Sequence, residues 1–208
     1  MKQHIPIAVI ALAVLAQLAA QTVPQGWKQR IDRSASVSDP DASGNVKFVT
    51  QGSGFHATNP QAATYWNPVN TASGVYTLKG AFTLMQPSGH PNYYGLVFGG
   101  ANLEAAEQAY VYFLVAQNGT WLIKKREGAM ATNIAPRTPN DAVQKPDGSG
   151  KSTNNLEVRV GTEKVDFVVN GTVVHSAAKA DLPKTDGISG IRVNHLLEVQ
   201  IDGFGVAK

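Results

Sequence analysis

Apolar and polar residues alternate with a period of two through most of this chain. Turn residues interrupt the alternation about every 8–12 residues, a rhythm that predicts an all-β sandwich or barrel rather than helices. Val75 to Leu84, Tyr93 to Phe98, Ala109 to Ala116, Thr120 to Glu127, Leu156 to Val160, Lys164 to Val169, Thr172 to Ser176, Ile188 to Asn194 and Leu196 to Phe204 read as strands. Asn118-Gly119 and Asn170-Gly171 stand between paired runs, and Asn-Gly is the strongest short hairpin signal because both residues accept positive φ. Gly161-Thr162-Glu163 marks a third hairpin. Helical material is confined to a turn or two at Leu103 to Gln108 and another at Asp181-Leu182-Pro183. Residues 128–154 are polar and rich in proline and glycine, which predicts one long functional or flexible loop.

The chain opens Met1-Lys2-Gln3-His4 and then runs uncharged and apolar from Ile5 to Ala20, broken only by Pro6 and Gln17. A run of that length fits a secretory signal and is short of the ~20 residues that span a bilayer. Residues 1–20 are therefore expected to be a signal peptide, cleaved near Ala20, before Gln21. The product would be a secreted or periplasmic protein that meets a membrane only if the signal stays uncleaved. Residues 21–208 then form a single domain. The formal charge of +3 falls to +2 when Lys2 leaves (3 − 1), and no basic run exceeds Lys124-Lys125-Arg126. Nucleic acid is thus not an expected partner. The absence of cysteine excludes disulfides, thiol catalysis and thiolate metal sites.

The order of motifs GVYTLKGAFTLM, YYGLVFGG, YVYFLVAQNGTWLIKKREG, NNLEVRV, VDFVVNGTVVH, GISGIRV and LEVQIDGFGV resembles the concanavalin A-like, laminin-G-like jelly rolls. It is most similar to the bacterial exported 3-keto-disaccharide hydrolase domains, a family-16-like domain of unknown function. The likeness covers roughly residues 46–206, and its most specific pieces are Val169 to Val174 and Gly187 to Arg192. It implies a two-sheet antiparallel jelly-roll sandwich acting on or binding sugars. Asn154-Asn155-Leu156 stands where the family often carries a tryptophan, and the Glu-x-Asp-x-x-Glu strand of catalytic family-16 enzymes is missing. Both departures turn the expectation from hydrolysis towards non-catalytic carbohydrate binding.

The candidate residues follow from that frame. Glu198 and Asp202 share a strand face, but four residues at about 3.3 Å hold them too far apart for a catalytic carboxyl pair. Glu104 and Glu107 share one face of the possible helical turn and, with Glu127, are the candidate acids of an enzyme cleaving a (3-keto-)disaccharide. A solvated acidic turn is the competing reading of the first two. Mature His56, His90, His175 and His195 are scattered without the paired spacing of a zinc motif, and Ser53 lacks a nucleophile elbow. Asp39, Asp41 and Ser43 place oxygens at alternate positions before Gly44, like the front half of a calcium loop or a plain Asp-stabilised turn. No other cofactor is expected.

Tyr65-Trp66, Tyr93-Tyr94, Tyr110 and Tyr112 supply flat rings on which sugars can stack. Alternation sends Tyr110, Tyr112 and Leu114 to one side and Val111, Phe113 and Val115 to the other. On the next strand it separates Leu122, Lys124 and Arg126 from Trp121 and Ile123, and near the end it turns Arg192 and Asn194 away from Ile191 and Val193. If the first sets share one sheet, Tyr110, Tyr112, Lys124, Arg126, Arg192 and Asn194 form a groove for a glycan or small saccharide. Two other readings stand beside it: the tyrosines as ordinary core, and the whole chain as a structural or adhesive surface protein.

Overall fold

The computed structural model describes residues 23–208. The segment read as an export signal, with its cleavage point, lies outside the described residues. Fourteen strands follow one another: β1 (Lys28–Asp32), β2 (Lys47–Gln51), β3 (Gly54–Asn59), β4 (Ala62–Ala72), β5 (Tyr76–Leu84), β6 (Tyr93–Ala101) and β7 (Ala109–Ala116). They continue as β8 (Thr120–Glu127), β9 (Met130–Pro139), β10 (Ser152–Val160), β11 (Lys164–Val169), β12 (Thr172–Ala178), β13 (Gly187–Val193) and β14 (Leu197–Ala207). They pair antiparallel into two seven-stranded sheets, ordered β1-β4-β13-β6-β7-β8-β9 and β12-β11-β10-β5-β14-β3-β2. The architecture is the expected all-β two-sheet jelly-roll sandwich.

The core lies between the sheets and follows the alternation. Val111, Phe113, Val115, Ile123, Ile191 and Val193 point inward from the first sheet and are fully buried. Leu78, Phe82, Val158, Phe167, Val199 and Ile201 meet them from the second. Phe113 packs edge-on against Phe167 with ring centroids 5.3 Å apart. Tyr65, Tyr76 and Tyr94 also belong to this core. The turns are those the sequence announces. Asn170 and Gly171 take φ of 49° and 82°, so Val169 pairs directly with Thr172 across a two-residue turn. Gly119, at φ 82°, closes the three-residue link between β7 and β8.

Two expectations are corrected. Residues 128–154 are not one loop: β9 pairs with β8 from Glu127↔Met130 to Thr120↔Pro139, and β10 begins at Ser152. Only one residue of β9, Ala135, is buried. An edge strand held by backbone bonds and solvated on most of its length carries no hydrophobic period to read. Leu103 to Gln108 makes two successive turns (Ala105 N to Asn102 O, 2.8 Å; Gln108 N to Ala105 O, 3.3 Å) rather than a helix. The sandwich also includes β1, which precedes the residues 46–206 of the resemblance and adds an edge to the first sheet. Among the described residues a single 3₁₀ turn, Lys179–Asp181, falls beside the helical turn anticipated at Asp181.

Asn154, on β10, is fully buried. Its Oδ1 accepts from the backbone N–H of Gln144 at 2.8 Å, and its Nδ2 donates to the Gln144 carbonyl at 3.2 Å. The side chain thereby ties the 140–151 connection to β10, a structural role for an amide that would be costly to bury unpaired.

Candidate functional site

Because β1, β4, β13, β6, β7, β8 and β9 are neighbours in that order, side chains alternating away from the core share the outer face of the first sheet. Trp66, Tyr93, Val97, Tyr110, Tyr112, Leu114 and Leu122 form a second apolar cluster there, joined by Leu103 from the β6–β7 turns. Tyr110 and Tyr112 are thus not part of the core between the sheets. Nor are they open stacking platforms, for they are only 3% and 6% exposed.

Arg192 explains what the tyrosines do. The side chain rises from β13 into this cluster with its charge nearly out of water. Its Nη1 stands 2.6 Å from Asp32 Oδ2, 3.0 Å from Thr64 Oγ1 and 3.2 Å from the Tyr110 hydroxyl, while Nε donates to Asn194 Oδ1 at 3.2 Å. The guanidinium lies over the Tyr112 ring, 5.5 Å from its centroid. Burial works against the charge, but Tyr110 and Asp32 beside it outweigh that and hold the pKa above its ordinary value. Burial likewise pushes the Tyr112 hydroxyl upward, against the pull of Arg192. The two tyrosines serve as the wall and floor of an arginine socket.

Asp32 is the shared counter-ion of the face. Besides Arg192 it stands 3.7 Å from Arg30 Nε and 3.7 Å from Arg126 Nη2. Lys124 projects from the same side, and burial, then Arg137 and Arg192, lower its pKa. All six residues singled out as a groove (Tyr110, Tyr112, Lys124, Arg126, Arg192 and Asn194) are on strands or strand ends of this sheet. The structure links Tyr110, Tyr112, Arg192 and Asn194 into one network and sets Arg126 at its edge through Asp32.

Sequence reasoning missed several members. Asp32 and Thr64 come from β1 and β4, outside the strands that the sequence pattern predicts, although Lys28, Arg30 and Asp32 alternate visibly against Gln29 and Ile31. Arg137, on the unread edge strand, covers the Tyr93 ring at 5.3 Å. At this end of the sheet the face opens into a cleft of about 390 Å³. Arg137, Arg192 and Asn194 line it with donors, Asp32 and Asp39 with acceptors, and Tyr93 with an aromatic edge.

The candidate acids are elsewhere. Glu127 pairs across the ladder with Ala109, at the end of the sheet opposite Tyr93↔Ala116, and bonds Lys125 at 2.9 Å. Glu104 and Glu107 are exposed in the adjoining turns, Glu104 tied to Lys28. Glu198 is paired with His56 on the second sheet. Of the calcium candidates, Asp39 and Asp41 reach the cleft, whereas Ser43 is exposed and lines a different depression.

No family model matches the chain, and no curated protein matches it. Solved structures do resemble it in fold. A carbohydrate-binding module, CBM66, from Bacillus subtilis superposes with a TM-score of 0.63 at 13% identity, covering 88% of this chain and 96% of that one. A Bacillus subtilis protein of unknown function with a galectin-like fold gives 0.58 at 15% identity, covering 86% and 88%. The carbohydrate recognition domain of Emp46p, in a potassium-bound form, gives 0.54 at 12% identity, covering 87% and 88%. At these identities the likeness is one of fold.

Proposed function

We propose that this is an exported, non-catalytic saccharide-binding protein whose ligand occupies the cleft at the Asn92–Asn194 end of the first sheet's outer face. The observation that carries the reading is the lining of that cleft. Donors on Arg137, Arg192 and Asn194 surround acceptors on Asp32 and Asp39 beside an aromatic ring. A ligand dense in hydroxyls needs both kinds of partner at close spacing, and about 390 Å³ is within the range of small-ligand sites. Among the described residues no hydrogen bond uses Nη2 of Arg192, so this fixed guanidinium keeps donor capacity for a ligand. Fold likeness to a carbohydrate-binding module and a carbohydrate recognition domain supports the same reading. Export rests on the apolar run Ile5 to Ala20. The narrower kinship with 3-keto-disaccharide hydrolases rests on Val169 to Val174 and Gly187 to Arg192, and the placement of Glu104, Glu107 and Glu127 far from the cleft speaks against their hydrolysing what it holds.

The test is a glycan array followed by calorimetry on the purified protein, with Arg137→Ala and Tyr112→Ala beside wild type. Arg137 is exposed and outside the core, so its loss is expected to weaken binding at least ~10-fold, the worth of one or two charge-assisted hydrogen bonds, without unfolding the chain. Tyr112→Ala is expected to weaken binding by loosening Arg192. Absence of binding to any saccharide, or equal affinity in all three proteins, refutes the reading.

A further inference from the structure

Three groups that chain position keeps apart converge on one wall of the cleft. Asp39 comes from the β1–β2 connection, His90 from the β5–β6 loop and His195 from the tight turn between β13 and β14. Their ligand atoms all lie within 4.8 Å of one another. Asp39 Oδ1 is 2.9 Å from His90 Nε2 and 3.2 Å from His195 Nε2. Ligand atoms about 2.1 Å from a tetrahedral zinc ion stand about 3.4 Å apart, so Asp39 stands from each imidazole as a ligand of a common ion would, with the two imidazole nitrogens within 4.8 Å of each other.

Two further observations distinguish this cluster from an ordinary ion pair. Asp39 Oδ1 and His90 Nε2 are each shielded from solvent and make no hydrogen bond, because their close approach is not along an N–H direction. Shielded polar atoms without a partner are costly, and here they face each other. Secondly, His195 is held from behind. Its Nδ1 stands 3.0 Å from Asp41 Oδ1, and Asp41 Oδ2 accepts the Ser34 N–H at 2.8 Å. A carboxylate on Nδ1 fixes the proton there and leaves the Nε2 lone pair for a cation, the arrangement found behind metal-bound imidazoles. Ser34 Oγ also donates to the Asp39 carbonyl at 2.7 Å, so one serine braces both aspartates.

We propose that Asp39, His90 and His195 bind a first-row divalent transition ion, with Asp41 as the positioning residue behind His195. Two imidazoles and one carboxylate suit zinc or a neighbouring ion and not calcium, which takes oxygen ligands. Three protein ligands leave at least one coordination position, and the ligands line the same cleft as Arg137 and Arg192. The site stands whether or not the cleft holds a saccharide, since it rests on its own three side chains.

The experiment uses the chelator-stripped protein without a polyhistidine tag, titrated calorimetrically with zinc chloride and separately with calcium chloride. One zinc per chain is expected, with a Kd of about 1 µM or tighter and no calcium response. His90→Ala, in an exposed-side loop, is expected to lose about 100-fold or more in affinity, and Asp41→Asn about 10–100-fold. His56→Gln, on the second sheet, is expected to bind as wild type. Circular dichroism establishes that each variant is folded, and Asp39→Asn repeats the test should His90→Ala fail to fold. No zinc binding at about 0.1 mM, binding undiminished by His90→Ala or Asp39→Asn, or calcium taken in place of zinc each overturns the proposal.

Discussion

Replacing Asp32 with alanine is expected to destabilise the protein by about 3 kcal/mol. The Asp32 and Arg192 side chains are 13% and 9% exposed, so their 2.6 Å contact is effectively a buried pair. Removing one partner of such a pair costs about 3–5 kcal/mol, because the remaining charge is left desolvated. The lower end applies, since Thr64 Oγ1, the Tyr110 hydroxyl and the Tyr112 ring would still receive the guanidinium. Urea denaturation followed by tryptophan fluorescence measures the effect. With a slope of roughly 2 kcal/mol/M the midpoint should fall by about 1.5 M. The double variant Asp32→Ala/Arg192→Met removes the stranded charge as well and is expected to recover most of the loss, leaving about 1 kcal/mol. A single-variant cost under about 1 kcal/mol, or a double variant no more stable than Asp32→Ala, would show that Arg192 is solvated and that the socket does not exist.

Two further outcomes follow from the packing. His175 lies against Trp121 and Phe167, and burial lowers its pKa below 6.5. The unfolded chain therefore binds its proton first, so this contribution to stability is complete above pH 6.5 and is lost as pH falls through the folded-state pKa. Chemical denaturation from pH 7.5 down to 5 should show a decline that His175→Gln lessens; parallel curves for the two proteins would refute it. Gly99 has φ of 63°, and an added Cβ would fall inside contact distance of the Lys184 carbonyl oxygen. Gly99→Ala is expected to cost about 2–4 kcal/mol, read as a lower melting temperature, and an unchanged one would refute the close approach.

Strand periodicity was the legible part of the site. It separated Tyr110 and Tyr112 from Val111 and Phe113, and Arg192 from Ile191, because a pleated backbone turns successive side chains to opposite faces whatever the sheet order. Whether Tyr112 would be open or covered was not legible, since that depends on Arg192 lying across it. The β9 strand is illegible in the sequence for a related reason: its order comes from the backbone of β8, and its own side chains bury almost nothing.

The sequence by itself determined the sandwich class, the hairpins at Asn118-Gly119 and Asn170-Gly171, and which side chains of a strand share a face. These are local consequences of pleat geometry and of which residues accept positive φ. Only the tertiary structure decided that Asp32 meets Arg192 across 160 residues, and that Asp39, His90 and His195 meet at all. The strand order β1-β4-β13-β6 makes both encounters. That order is set by how two sheets cover a common core, and no spacing along the chain records it.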